Sequence, residues 1–234
     1  SSHFEPKAKR VIFLFMTGGV SHVDTFDPKP LLTKKHNQPF NRNHFHKGAD
    51  WPFKSYGQCG TNVSDLFPHI GSMMDKICLI RSMQNINGDH FGATIGIHTG
   101  SATFNRPSMG SWVSYGLGTE NQNLPAFMVL SKGIPYGGAQ SWGSDFLPVR
   151  HQGTRIIPGP DPIANIRPIG EDLARQRTGL NLLEFLNQQH LKGRTQDSNL
   201  AARIKSFETA FGMQAEAPEA FDVTRESDAT HRLY

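Results

Sequence analysis

The sequence predicts an α/β fold with a mostly parallel sheet and flanking helices, and three observations lead to that prediction. Two short apolar runs, Arg10–Met16 and Lys76–Met83, have the composition of buried central strands. A polar loop follows each run, and the second loop leads into a small-residue helical segment, His90–His98. Strands joined by crossover helices pair in parallel, and ligands bind at the carboxyl ends of such strands. The loops after Met16 and Met83 are therefore the places to look for chemistry.

The other elements follow from hydrophobic periodicity. Val63–Met74 has helix-like spacing, although Pro68 stands in its middle, and Gly100 is well placed as the C-cap of the helix that begins at His90. Further elements are predicted in the second half: a helix at Ser108–Leu117, a strand at Ala126–Leu130, a helix within Leu173–Leu191 and an amphipathic helix at Asn199–Phe211. We expect one domain over residues 1–234, with 131–168 rich in loops and 170–214 forming a helical segment.

Composition excludes several classes of protein. The 234 residues are 37% hydrophobic, an ordinary globular mixture that can bury a sizeable core without crosslinks. The net charge of +4 arises from 24 basic and 20 acidic residues. Most of this excess is scattered and accompanies no nucleic-acid motif, so solvated flanks are favoured over nucleic-acid binding. No apolar run approaches the roughly 18 residues of a membrane helix, and we expect no transmembrane segment.

Two cysteines leave the redox state open. Cys59 and Cys78 are compatible with one disulfide or with two free thiols. Because Cys78 lies inside the apolar run that is predicted to be a strand, it has the pattern of a core residue.

The first candidate loop reads TGGVSHVDTFDPKP, from Thr17 to Pro30. His22, Asp24 and Asp27 offer an imidazole and two carboxylates within six positions, donors that suit a divalent metal able to activate water. The alternative is that both aspartates cap turns. We predict His22 and Asp24 as metal ligands and Asp27 as structural.

The second candidate loop and its helix read DHFGATIGIHTG. Asp89 and His90 stand at the start of a helix, where the dipole and the free N–H groups favour an anion such as a sulfate or phosphate ester. Asp89 is also a natural N-cap, and both roles are compatible. We predict Asp89 as a metal ligand and His90 as catalytic, and we do not expect His98 to be a ligand.

Longer phrases of the sequence resemble a known family. KAKRVIFLFMTGGVSHVDTFDPKP, RPSMGSWVSYGLGTENQNLPAFMVL and ARIKSFETAFGMQ are similar to the sulfatase-like proteins of domain-of-unknown-function 1501, and the resemblance runs over nearly the whole chain. It implies an alkaline-phosphatase-like fold and hydrolysis of sulfate or phosphate esters. It also implies a divalent metal cofactor (zinc, manganese, magnesium or calcium) and export to the periplasm.

The chain departs from the superfamily's pattern at two positions. The nucleophile position holds His90 instead of Ser, Thr or a modified Cys, and Thr17 stands where an aspartate is expected at a strand end, so that Asp24 would have to replace it. The resemblance also implies further metal ligands in a C-terminal half. We therefore expect this chain to be an incomplete front portion that is truncated at Tyr234.

Two functions remain open from the sequence. The first is a metal-dependent hydrolase of anionic esters, in which Arg106 contributes anion recognition unless it is a plain surface arginine. The second is a non-catalytic exported protein that binds sulfated polysaccharide and has lost the nucleophile. Its candidate contacts are five aromatic residues that are otherwise core or loop anchors, namely Trp51, Phe53, Tyr56, Trp112 and Trp142. An accessory subunit of a larger exported complex is a third possibility, and the oligomeric state is open.

Overall fold

The chain forms two units, residues 1–84 and 85–234, and each is described by itself. The structure is a computed structural model that describes residues 5, 7–121, 124–157, 162–163, 173–192, 207–214, 217 and 219–233.

The first unit is built from short elements. They are a 3₁₀ helix at His22–Asp24, helix α1 at Pro30–Lys34, strands β1 (Pro39–Asn41), β2 (His44–Phe45), β3 (Phe53–Tyr56) and β4 (Thr61–Ser64), helix α2 at Pro68–Gly71 and a 3₁₀ helix at Met74–Lys76. Strand β1 pairs antiparallel with β2, and β3 pairs antiparallel with β4. The turn between β3 and β4 places Gly57 and Gly60 at positive φ, a conformation that glycine adopts without steric cost.

The strand predicted at Arg10–Met16 is not observed. These residues form no strand in the part of the chain that the structure describes, and the side chains of Val11, Ile12 and Leu14 are exposed. Phe13 and Phe15 stack on each other with ring centroids 6.2 Å apart. An apolar run favours burial, but a strand also needs a neighbour for its backbone N–H and C=O groups. The composition of the run favours burial, but it does not indicate whether a neighbouring strand is available for pairing.

The predictions for residues 63–83 are also wrong. Instead of a helix at Val63–Met74, the chain forms β4 and then α2, because Pro68 occupies the first turn of α2 and cannot continue a helix that began before it. No strand forms at Lys76–Met83. Cys78 is exposed instead of buried, and it and Cys59 are both free thiols.

The second unit contains the longer helices. It has α3 (His90–Thr99), α4 (Met109–Leu117), β5 (Met128–Leu130), 3₁₀ helices at Gly138–Trp142 and Val149–His151, β6 (Thr154–Ile156), α5 (Leu173–Lys192), α6 over residues 207–214, a 3₁₀ helix at Val223–Arg225 and α7 (Asp228–His231). The predictions of α3, α4, β5 and α5 are confirmed. Gly100 closes α3 in the left-handed conformation, at φ +77, as expected of a C-cap glycine.

Helices α5 and α6 are the described parts of the helical segment predicted at 170–214. Helix α5 ends at Lys192, α6 covers 207–214, and residues 193–206, which include most of the helix predicted at Asn199–Phe211, lie outside the described residues. The guanidinium of Arg177 on α5 lies 5.1 Å from the centre of the Phe211 ring on α6, a cation–π contact between these helices.

Parallel pairing occurs between β5 and β6, with Val129 opposite Arg155. Ile156, which is fully buried, anchors a small core with Ile163 and Ala217 next to this pair. The described residues form three two-stranded sheets, of which this one is parallel. A mostly parallel, alkaline-phosphatase-like sheet therefore stays a prediction.

Candidate functional site

The start of α3 carries two of the predicted site residues. Asp89 is the N-cap: its backbone is extended, and its Oδ1 accepts a hydrogen bond of 2.8 Å from the N–H of Gly92. The alternative that Asp89 caps the helix is therefore confirmed, and one carboxylate oxygen is engaged in that role. The N–H groups of His90 and Phe91 donate to no acceptor in the described part of the chain, as is usual in a first helical turn.

Two glycines let the preceding loop lie directly on α3. A Cβ on Gly92 would lie 2.5 Å from Nδ2 of Asn87, and a Cβ on Gly96 would lie 2.6 Å from Nδ2 of Asn85. Asn85 also donates from Nδ2 to the carbonyl oxygen of Ala93, at 3.1 Å. The small residues of α3 thus accept the loop in close contact.

His90 is exposed and stacks on an aromatic ring from another segment. The rings of His90 and Tyr136 lie 15° from parallel with centroids 4.9 Å apart. Tyr136 is 55% exposed and Phe91, beside His90, is 56% exposed. His90 and Tyr136 thus form an exposed pair of stacked rings at the start of α3, and Phe91 is the next residue along the helix. We call these three residues the ring platform. Within the described residues the imidazole of His90 makes no hydrogen bond, so no second group orients it as a base or nucleophile.

Arg106 lies in a segment that is joined to the same stretch of chain. Its neighbour Asn105 accepts a 2.7 Å hydrogen bond from Nε2 of Gln140, and Ser108 donates from its N–H to Gly143 O at 3.0 Å. Arg106 is exposed, and its guanidinium forms no ion pair with any described carboxylate. Residues 136–143 therefore contact both α3, through Tyr136, and the segment that carries Arg106.

The first candidate loop belongs to the other unit and is organised as a turn. Asp24 accepts a 2.7 Å hydrogen bond from Ser21 Oγ and a 3.1 Å hydrogen bond from the N–H of Asp50. These two bonds, with a smaller contribution from Lys47, lower the pKa of Asp24. Both carboxylate oxygens of Asp24 are thus engaged in holding the loop, the alternative weighed from the sequence, and His22 is exposed.

Asp27 has the structural role expected of it. Its carboxylate pairs with Nζ of Lys29 at 2.7 Å, and this contact lowers the pKa of Asp27.

The predicted metal ligands do not fit a metal centre where the structure describes them. Among the described residues no group of three or more His, Cys, Asp or Glu side chains lies together as a metal site would require. Asp24 uses both oxygens within its loop, and Asp89 uses one for its cap. We therefore derive no chemical step through a metal at His22, Asp24 or Asp89.

The five aromatic residues proposed as polysaccharide contacts differ in exposure. Trp142 is 7% exposed, and Tyr56 packs its ring against Gly71, so both anchor structure, as the alternative held. Phe53 on β3 is half-buried, and Trp51 and Trp112 are exposed. Tyr136, which stacks on His90, was missed from the sequence because it is far from His90 along the chain. Phe91 was missed although it directly follows His90.

Sequence reasoning also missed a buried polar face of α4. Ser108, Ser111 and Ser114 are all buried at a spacing of three residues, and Ser114 Oγ lies 2.9 Å from Nδ1 of His151. The spacing of the serines is the signal that was available: residues three apart lie on one helix face.

A family model described as protein of unknown function (DUF1501) matches residues 8–234. No curated protein and no solved structure matches the chain. Of the helices that the structure describes, none combines the length and apolar composition needed to cross a membrane.

Proposed function

The chain belongs to the DUF1501 family, and from this premise we propose that it binds sulfated or phosphorylated glycans at the start of α3, with the ring platform and Arg106 as the main contacts. The observation that carries the proposal is the parallel stack of His90 on Tyr136, whose rings are both exposed. A pair of stacked aromatic rings exposed at the surface is a feature that a bound ligand would cover.

The shape of the ring platform suits a sugar. Aromatic rings present a broad apolar surface with a negative face, and the C–H groups on one face of a pyranose pack against it. An apolar contact surface with a few placed polar groups around it is the usual composition of a ligand site. The stack of His90 on Tyr136 fixes the orientation of the two rings before the ligand arrives, which lowers the ordering cost of binding.

The charge of the ligand follows from Arg106 and from the helix start itself. Arg106 offers a planar guanidinium with no described carboxylate partner, and such a fork pairs with sulfate or phosphate oxygens in a bidentate way. The open N–H groups of His90 and Phe91 add two donors at the positive end of a helix. Asp89 opposes an anion, but its Oδ1 is already paired with the N–H of Gly92.

Hydrolysis of sulfate or phosphate esters is the second candidate function. It is favoured by the position of Asp89 and His90 at the start of α3, where the resemblance to sulfatase-like enzymes implies the nucleophile, although His90 stands there instead of Ser, Thr or a modified Cys. An exposed imidazole at a helix start is accessible to an ester, and histidine acts both as a nucleophile and as a metal ligand. Export to the periplasm is proposed with either function, on the family resemblance, and fractionation of the native host cells tests it.

Calorimetric titration with dextran sulfate and with uncharged dextran tests the binding proposal. We expect dextran sulfate to bind with an affinity that falls as salt is raised, and uncharged dextran to bind much more weakly. Arg106→Gln should weaken dextran sulfate binding about 3- to 10-fold, whereas Arg232→Gln, a change at another exposed arginine of the same unit, should leave it unchanged. Equal affinity for the two polymers would contradict the proposal.

An assay for turnover separates the two candidates. The chain is incubated with an aryl sulfate and an aryl phosphate, in the presence of zinc, manganese, magnesium or calcium in turn. Turnover that disappears in His90→Ala and persists in His231→Gln would establish the hydrolase. Binding of dextran sulfate without any such turnover is the result expected of a glycan-binding protein.

A further inference from the structure

We propose that the contact between Ser114 and His151 is a pH-sensitive latch, which holds the 3₁₀ helix Val149–His151 against α4 in neutral solution and releases it in mildly acidic solution. This inference is independent of the glycan-binding proposal, since neither residue belongs to the ring platform.

The latch is a buried hydrogen bond between two elements. Ser114 on α4 is 4% exposed and His151 is 9% exposed. Ser114 Oγ and Nδ1 of His151 are 2.9 Å apart, and the ring of Tyr115 meets the imidazole edge-on with centroids 5.4 Å apart. The other imidazole nitrogen, Nε2, is buried and has no hydrogen-bond partner among the described residues.

The orphaned Nε2 makes the contact sensitive to protonation. In the neutral ring that has its proton on Nδ1, Nε2 is an unprotonated acceptor, and leaving it unpaired costs the desolvation of one neutral group. In the imidazolium both nitrogens carry protons, so a charged N–H donor would be buried without an acceptor, which is far more costly. The ring therefore tolerates its site when neutral and is driven out of it when charged.

Among the described residues around His151, no group compensates the charge. The groups that face His151 are Tyr115 on α4 and Arg150 on its own 3₁₀ helix, and the 3₁₀ helix Gly138–Trp142, which also packs on α4, carries no titratable side chain. Burial in the first place, and the cation of Arg150 in the second, lower the pKa of His151. No described carboxylate acts on it in the opposite direction.

The direction of the effect follows from this lowered pKa. When the latch opens, His151 regains the ordinary pKa of about 6.5 and binds a proton more readily than in the closed state. The ratio of open to closed forms should rise by up to about tenfold per pH unit below pH about 6.5, and should level off once the pH falls below the pKa of the closed state.

Release would loosen the start of β6. In the closed state the N–H of Gly153 donates to Trp142 O at 2.9 Å and the N–H of Thr154 donates to Phe127 O at 2.9 Å. Both bonds directly follow the latch in sequence, so their amides report its opening.

Hydrogen exchange of the full chain tests the latch between pH 4.5 and 7.5, with rates corrected for the pH dependence of chemical exchange. We expect the protection of the Gly153 and Thr154 amides to be independent of pH above pH about 6.5 and to decrease below it. His151→Gln should abolish this pH dependence, and His231→Gln should retain it. Protection that does not change with pH in the wild-type chain, or that changes equally in His151→Gln, would overturn the proposal.

A second variant keeps the test decisive if His151→Gln fails to fold. Arg150 is exposed, and Arg150→Gln removes the cation that lowers the pKa of His151 without disturbing the buried contact. The loss of protection in Arg150→Gln should then level off at a higher pH than in the wild-type chain. An unchanged profile would contradict the latch.

Discussion

The rings of His90 and Tyr136 lie 15° from parallel, with centroids 4.9 Å apart, although the two residues come from separate segments of the second unit. Because Asp89 caps the helix immediately before His90, the orientation of the imidazole is tied to the first turn of α3. The same helix start thus combines an N-cap that fixes the backbone with an exposed stacked ring, which belongs to the surface proposed to bind the ligand. The predictions below test these roles and the packing that supports them.

Removing the N-cap should weaken α3. Asp89→Ala deletes the acceptor for the N–H of Gly92, and we expect it to lower the free energy of unfolding by about 1 kcal/mol. Asp89→Asn keeps an equivalent side-chain acceptor and should be close to neutral for stability. Urea denaturation of the three proteins measures the difference, and equal stability of Asp89→Ala and wild type would contradict the capping role.

The same pair of variants distinguishes the effect of the Asp89 N-cap from the effect of its negative charge. Asp89→Asn removes a negative charge next to the ring platform while it keeps α3 capped, so its affinity for dextran sulfate should be higher than that of the wild-type chain. A weaker affinity in Asp89→Asn, measured by calorimetry, would mean that the carboxylate itself takes part in binding, for example through a metal.

Replacing either of two glycines of α4 by alanine should change the stability of the chain, and in opposite directions. A Cβ on Gly110 would overlap the ring of Phe127, and we expect Gly110→Ala to destabilise the chain by about 1–3 kcal/mol through overpacking. A Cβ on Gly116 meets no atom within 4 Å, so Gly116→Ala should stabilise α4 by about 0.5–1 kcal/mol through helix propensity. Urea denaturation compares them, and a stabilising Gly110→Ala would show that this contact is looser than described.

The acid stability of the first unit should depend on Asp75. Its carboxylate accepts hydrogen bonds from the N–H groups of Cys59, at 2.9 Å, and Gln58, at 3.0 Å, and these bonds lower the pKa of Asp75. The native state therefore binds this proton less readily than the unfolded state. The contribution of Asp75 to stability should be fully present above pH about 4 and should be lost as the pH falls through its lower, folded-state pKa.

Unfolding measured between pH 2 and 6 tests this dependence. Asp75→Asn should show a flatter decline of stability with acid than the wild-type chain, because it removes one titrating group. Asp228→Asn, at an exposed position of the second unit, is the control and should keep the wild-type slope. Identical slopes for wild type and Asp75→Asn would contradict the role of Asp75.

Both cysteines should react as free thiols in the folded chain. Cys59 and Cys78 are exposed and form no disulfide. We expect a colorimetric disulfide reagent to modify two thiols per chain without denaturant. Modification of two thiols only after reduction would instead show that the disulfide, which the sequence leaves open, forms.

Helix α3 was predictable because its signals are local. Asp89 before the helix and Gly100 after it define both ends through hydrogen bonds within a few residues. The apolar run at Arg10–Met16 has an equally clear composition, but a strand depends on a distant partner that composition does not specify. Pro68 shows a third case: the apolar spacing around it favours one long helix, and the proline's missing N–H ends that possibility.

The candidate site was predictable only in part. Asp89 and His90 were found from their place before a small-residue helix, whereas Tyr136 lies 46 positions after His90 by their numbers and no periodic signal links the two. The contact between Ser114 and His151 could not be predicted for the same reason, since 37 positions separate the partners. The three serines of α4 indicate a polar helix face, but not the histidine that meets it.

Calorimetric titration of dextran sulfate into the wild-type chain, Tyr136→Ala and Ile134→Ala tests the central claim most directly. Ile134 lies two positions before Tyr136 and is similarly exposed, so its variant removes a comparable side chain without touching the ring stack. We predict that Tyr136→Ala weakens binding about 3- to 10-fold, as the loss of an aromatic contact should, and that Ile134→Ala binds as the wild type does. Equal affinity of all three proteins would contradict a glycan site at the ring platform.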